Sequence, residues 1–209
     1  EEAKYDHAAV SAEFLNYWKS KEHLLANGDA VNIALFHHAD LMEKGKIGGD
    51  KAKFISLVKI ADWLSSSERT KDKEIETAQQ FATTPLISVF QRLFEEKGAD
   101  KESKFSFSLN PLRLEKEHIF PKENPDVNSS LYNNLFKQFQ EEFARITKTD
   151  QLYYLLEKYT WCIPSATPWG DVRTIPDVSL FDHSRTTAAI ALCLFDELVT
   201  NRMSDEVFR

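Results

Sequence analysis

The chain has 209 residues, one large domain or one and a half small ones, with 42% hydrophobic and 12% aromatic residues and a formal net charge of -7. Fifteen Phe and six Tyr against six Gly describe a chain able to bury a core, which excludes a disordered tail. The acidic balance argues against coating nucleic acid or an anionic membrane by bulk charge, but not against a nuclease whose phosphate contacts run through a metal.

In chain order, residues 7–26 predict a helix: Val10, Phe14, Leu15, Trp18 and Leu25 recur at helical spacing, and Asn27-Gly28 stops it. Asp29 caps a second helix from Ala30 to about Met42, with Ile33, Leu35 and Phe36 apolar. A polar loop, Lys44 to Gly49, leads to a third helix from about Asp50. It carries Phe54, Leu57, Val58, Ala61 and Leu64 and ends in Ser65-Ser66-Ser67. Glu68 to Glu76 is charged and reads as a solvated loop or linker, Arg69, Lys71 and Lys73 included. Pro85 to Phe94 is apolar and fits helix or strand. Lys104 to Leu114 alternates as a strand, with Phe105, Phe107 and Leu109 on one face.

His118 to Asn128 is a loop marked by Pro121 and Pro125. Two helices follow, Ser129 to Thr147 with Leu131, Leu135, Phe136, Phe139 and Phe143, and Asp150 to about Cys162. Pro164 to Pro176 is an ordered loop or hinge. The last helix runs from about Leu180 or Asp182 to Thr200, with Asp182 read as its N-cap. The sum is a mainly α protein with a small β insertion, divided into a helical region 1–80, a mixed region 81–128 and a helical region 129–209.

The longest unbroken apolar run, Ala188 to Phe195, is far short of the ~20 residues of a membrane span, and no secretory signal opens the chain. Cys162 and Cys193 form no metal or redox motif, which points to a reducing cytoplasm. The first residue is Glu1 rather than Met, so the chain is expected to be a piece of something longer.

No P-loop, dinucleotide glycine pattern, Gly-x-Ser-x-Gly elbow or zinc cysteine cluster occurs. Histidine and aspartate on the first three helices stand out instead: His7, the adjacent pair His37 and His38, and Asp62. Asp62 falls in the middle of an apolar face, between Ile60, Ala61, Trp63 and Leu64. A carboxylate there is expensive to bury unless it is paired or binds a metal. Imidazole nitrogen with carboxylate oxygen suits Mn, Fe, Ni, Co or Zn, and three antiparallel helices can each aim one ligand into a common cleft. Taken singly, each residue reads as an ordinary surface or satisfied side chain; the metal reading comes from the set. His23 reads as solvent-exposed and His118 as a loop histidine. Trp161, Trp169 and Phe181 read as packing residues.

His7-Ala8-Ala9-Val10-Ser11, His37-His38 and the run Ala61 to Arg69 resemble the later part of an HD-type phosphohydrolase domain. More specifically, the chain resembles the large subunit of type III CRISPR–Cas effector complexes of the Csm type. The most specific match is Pro176-Asp177-Val178-Ser179-Leu180-Phe181-Asp182-His183-Ser184-Arg185-Thr186-Thr187-Ala188-Ala189-Ile190-Ala191. That family carries a near-identical segment between its HD domain and its first palm domain. Thr84 to Phe90 and Ile119-Phe120-Pro121 are similar to family segments in the same order.

The resemblance implies an HD-type helical domain with a small β insertion and a C-terminal helix leading toward a palm domain. It implies cleavage of single-stranded DNA with a divalent transition metal, Mn, Ni or Co. Carried over by position, His7, His37, His38 and Asp62 hold the metal, and His37, His38 and Asp62 take the catalytic roles. Which of His37 and His38 ligates stays open. ATP belongs to the neighbouring palm domain, whose Gly-Gly-Asp-Asp motif is absent here: Gly48-Gly49-Asp50-Lys51 lacks the second Asp. The implied partners are a small subunit, the crRNA-bound subunits and other effector subunits, with single-stranded DNA as substrate, target RNA as activator and no membrane.

The His-Asp dyad that defines an HD domain is expected upstream of His7 and is not in the chain; Asp6-His7 is the reverse order. Weak metal affinity and little or no cleavage are therefore expected of these 209 residues alone. Two alternatives are a purely structural scaffold region of the ribonucleoprotein and a stand-alone HD phosphohydrolase, the latter disfavoured by the Asp182-to-Ala189 segment.

Overall fold

A computed structural model describes residues 7–23, 26–38, 50–66, 83–91, 105–166 and 176–200, with the side chains of His7 and Asp50 outside that description. Helix α1 (His7–Ser20) ends well before Ala26. Glu22 takes a left-handed backbone, φ 58°. His23 N–H donates to Trp18 O and Glu22 N–H to Lys19 O, both at 3.0 Å. That bond pair closes a helix in the way a C-terminal glycine usually does. The His23 ring lies 5.6 Å from the Trp18 ring, so His23 is half-buried rather than exposed. The apolar periodicity runs past the true end because no glycine marks it.

Asn27-Gly28 is a start, not a stop. The Asn27 side-chain oxygen accepts from Ala30 N–H at 2.9 Å and caps α2 (Gly28–Phe36). Asp29 sits in the first turn, where the helix dipole favours it, and pairs with Lys51 at 3.0 Å. His37 is the C-cap of α2. Residues 39–49, with the expected Met42 end and the polar loop, lie outside the described residues. Helix α3 (Asp50–Ser65) matches expectation. Its Ile55, Leu57 and Ala61 are buried, whereas Leu64 points outward, as do Val10, Leu35 and Phe136 on their helices. Helix α1 packs on α2, and α2 on α3.

The expected strand over Lys104–Leu114 shrinks to β1 (Phe105–Ser106). Its inward side chain is Ser106, fully buried, while Phe105 is more than a third exposed. The alternation misleads because the segment leaves the sheet at once: Asn110 O accepts from Trp161 Nε1 at 2.9 Å, and Leu112 N–H donates to Lys158 O at 2.7 Å. The loop expected over His118–Asn128 contains the end of a short helix, α4 (Lys116–Ile119), and a strand, β2 (Lys122–Glu123). Strand β2 pairs antiparallel with β1, Phe105 opposite Glu123. On the other side of β1, Ile87 forms a bridge with Ser106. Pro85–Phe94 is thus neither regular helix nor strand over its described part, turning at Val89-Phe90.

Helices α5 (Ser129–Phe143) and α6 (Thr149–Thr160) pack on each other, with Leu135 and Phe143 buried on the first and Leu155 and Tyr159 on the second. Asn128 caps α5 through Leu131 N–H, and Gln151 accepts from Lys148 N–H at the start of α6. Glu142 and the Lys158–Tyr159 pair clasp the two helices together. Helix α7 (Leu180–Val199) completes the described elements. Two units emerge, one of residues 1–5 and 70–183, the other of residues 6–69 and 184–209. The architecture is mainly α with a small two-stranded sheet. No described helix is long and apolar enough to cross a membrane.

Candidate functional site

The segment around Asp177–Ala191 has a clear local logic. Pro176 O accepts from Ile87 N–H at 2.8 Å, Val178 O from Ser165 N–H at 2.9 Å, and Leu180 N–H donates to Ile163 O at 2.7 Å. Backbone pairing therefore threads this segment between two others. Ser179 Oγ accepts from Asp182 N–H at 3.0 Å and donates to Asp182 Oδ2 at 2.8 Å. The N-cap of α7 is thus Ser179, and the expectation of Asp182 is corrected by one helical turn: Asp182 is the acidic partner inside the first turn. Phe181 is buried against Tyr153, with ring centroids 5.3 Å apart, a packing residue as expected. Trp161 packs on Phe107 in the same way. His118 sits on α4, 3.4 Å from Glu115.

His7 opens α1; its imidazole lies outside the described side chains. His37 is half-buried at the end of α2, its Nδ1 2.8 Å from Ala34 O. A carbonyl oxygen only accepts, so Nδ1 is the donor in this contact. A backbone carbonyl fixing one ring nitrogen is the usual companion of a metal-ligating histidine. His38 is exposed, and its ring lies 4.0 Å from that of His37, tilted by 44°. Asp62 is half-buried on α3, two helical turns after the fully buried Ile55. It does not lie in the middle of an apolar face as the sequence predicts. Trp63 and Leu64 beside it are 62% and 54% exposed, and Asp62 borders the buried face formed by Ile55 and Ala61.

Donor chemistry at His37 fits a transition metal. Among the described residues, no three His, Cys, Asp or Glu side chains gather where they could hold a metal ion. Cys162 is fully buried, its Sγ donates to Asn110 O, and burial pushes its thiol up to about 11, so it is a core residue. Cys193 is exposed and likewise free. Residues 67–82, with Arg69, Lys71 and Lys73, and Trp169 lie outside the described residues.

One contact escapes sequence reasoning altogether. Ser65 Oγ on α3 lies 2.7 Å from Thr187 Oγ1 on α7. Thr187 lies in the segment that carries the family resemblance, but nothing in the sequence names Ser65 as its partner.

No family model matches the chain, but individual proteins do. The single-strand-specific deoxyribonuclease Cas10/Csm1 of the subtype III-A CRISPR system of Methanocaldococcus jannaschii is 38% identical over 161 residues, 71% of this chain and 20% of the relative. Its counterpart from Enterococcus italicus is 29% identical over 210 residues, 94% of this chain and 26% of the relative. The crystal structure of Csm1 in T. onnurineus aligns 91% of this chain with 25% of that one, at TM-score 0.64 and 27% identity. The chain thus spans about a fifth to a quarter of the length of the proteins it matches. A Csm1–Csm4 cassette in complex with cA4, 23% identical with TM-score 0.59, shares the fold.

Proposed function

The chain is a relative of one region of the Csm-type large subunit of type III CRISPR systems, and we propose that it supplies the HD-type nuclease region of such a subunit, acting on single-stranded DNA. The observation that supports this most is the 38% identity with a single-strand-specific deoxyribonuclease over 161 residues. The helical fold shared with Csm1 at TM-score 0.64 agrees with it. His7, His37, His38 and Asp62 are the proposed donors to a divalent Mn, Ni or Co ion, with His37, His38 and Asp62 facing the reaction. A metal held there supplies Lewis-acid stabilisation of the charge that develops on phosphate during hydrolysis. His37, with Nδ1 against Ala34 O, is proposed to ligate through Nε2. His38, exposed beside it, is the proposed hydrogen-bonding group for a phosphate oxygen.

The sequence holds no His-Asp dyad, and these 209 residues alone are proposed to bind metal weakly and cut little or no DNA. The same observation favours a second reading, a scaffold region within the ribonucleoprotein that contributes packing rather than chemistry. In either case the proposed surroundings are the cytoplasm, other Csm subunits including a small subunit, the crRNA-bound subunits and target RNA as activator. Cyclic oligoadenylate synthesis from ATP is assigned to the palm domain and not to this chain. Cleavage of end-labelled single-stranded DNA by the longer subunit, with Mn2+ added, compared with its Asp62→Ala variant, separates the two. Loss of cleavage in the variant supports the nuclease reading; full cleavage in the variant leaves the scaffold.

A further inference from the structure

We infer that Thr187 is a positioning residue for Asp62, acting through Ser65; the inference rests on the reading above that Asp62 belongs to the nuclease site. Ser65 Oγ donates to the Asp62 carbonyl oxygen at 2.9 Å. A serine hydroxyl has one proton. Both Ser65 contacts are satisfied together when Thr187 O–H donates to Ser65 Oγ across their 2.7 Å contact and Ser65 O–H donates to Asp62 O. Hydroxyls in such a chain polarise and strengthen one another. Both side chains are half-buried, which limits competition from water.

The location gives the link its importance. Asp62 stands in the last turn of α3, where helix carbonyls lose their intrahelical partners and the backbone frays. Its carbonyl is held from two sides, by Ser66 N–H at 3.0 Å and by Ser65 Oγ. Helix α7 supplies the anchor for the second. It runs antiparallel to α3, with Phe195 packed on Phe54 at 5.8 Å towards one end and Thr187 on Ser65 at the other. Thr187, within the segment that marks the family resemblance, thus acts on the backbone of α3, keeping closed the turn that carries Asp62.

The test uses the full-length subunit, in Thr187→Val, Thr187→Ser and Asp62→Ala forms. Valine matches threonine in shape and removes only the hydroxyl. Two quantities are measured: amide hydrogen exchange over residues 62–66, and the Mn2+ concentration giving half-maximal cleavage of single-stranded DNA. Thr187→Val is expected to raise exchange in the 62–66 turn about fivefold, the effect of one lost hydrogen bond. The Mn2+ midpoint should rise by a similar factor, and Thr187→Ser should restore both. Unchanged exchange in Thr187→Val overturns the link itself. Faster exchange with an unchanged Mn2+ midpoint, in a subunit that Asp62→Ala inactivates, overturns the positioning role while Asp62 keeps its own. Normal cleavage by Asp62→Ala removes the nuclease-site reading and the positioning role together.

Discussion

Replacing Glu142 by Gln removes the charge from the α5–α6 clasp while keeping its shape. Glu142 Oε1 accepts from Lys158 Nζ at 2.7 Å and from Tyr159 O–H at 2.9 Å, and Oε2 accepts from Lys158 Nζ at 2.9 Å. Hydrogen bonds to a charged group contribute about 1.5–3 kcal/mol each when buried. Here the Lys158 and Glu142 side chains are 38% and 40% exposed, so solvent screening reduces the ion pair to about 1 kcal/mol in all. Burial pushes the Glu142 carboxyl up, but the hydrogen bonds from Lys158 and Tyr159 and the charges of Lys158 and Arg145 outweigh it, holding the group below its ordinary range. A depressed carboxyl stabilises the fold above its unfolded value and stops doing so as pH falls through the folded one. Glu142→Gln should therefore cost about 1 kcal/mol at pH 7, and the gap should close as pH falls from the ordinary carboxylate range through the lower folded value. Urea unfolding followed by tryptophan fluorescence, stepped from neutral to acid pH, reads both. A gap under about 0.3 kcal/mol at pH 7, or one that persists in acid, refutes the clasp as a charge-dependent contact.

Three further outcomes follow from the same structure. Glu22→Gly should stabilise the chain by about 0.5–1 kcal/mol in thermal unfolding, because glycine relieves the left-handed strain at φ 58° and loses part of the gain to its freer unfolded state. Ser179→Ala should cost about 1 kcal/mol and raise amide exchange first at the start of α7, since it removes the cap on Asp182 N–H. Iodoacetamide at neutral pH should label the exposed Cys193 long before Cys162, whose buried thiol is pushed up to about 11; equal labelling rates in the native chain would contradict its core placement.

Helix identity was legible wherever apolar spacing persisted: α3, α5, α6 and α7 lie close to their expected positions. Boundaries failed where an end depended on a backbone conformation or a hydrogen bond instead of a residue type. Glu22 stops α1 without a glycine, and Asn27 and Ser179 cap helices that Asp29 and Asp182 were expected to open. The strand over Lys104–Leu114 failed for a different reason. Its alternation of Phe and Ser is real, but the buried position is Ser106, because pairing on both sides of β1 fixes the register regardless of side-chain polarity. For the site, the residue types were legible and their environment was not. Nothing local distinguishes an Asp at the border of a buried face from one at its centre, and the Thr187–Ser65 contact depends on how α7 returns to α3.

Crystals of the longer subunit soaked in Mn2+, with diffraction collected at the manganese absorption edge, address the proposed site most directly. An anomalous peak is expected within about 2.0–2.2 Å of the Asp62 carboxylate and of a nitrogen from His37 or His38. A subunit that cuts single-stranded DNA in Mn2+ while its manganese sits elsewhere, with Asp62 and His37 uncoordinated, would contradict the assignment of these residues to the nuclease centre.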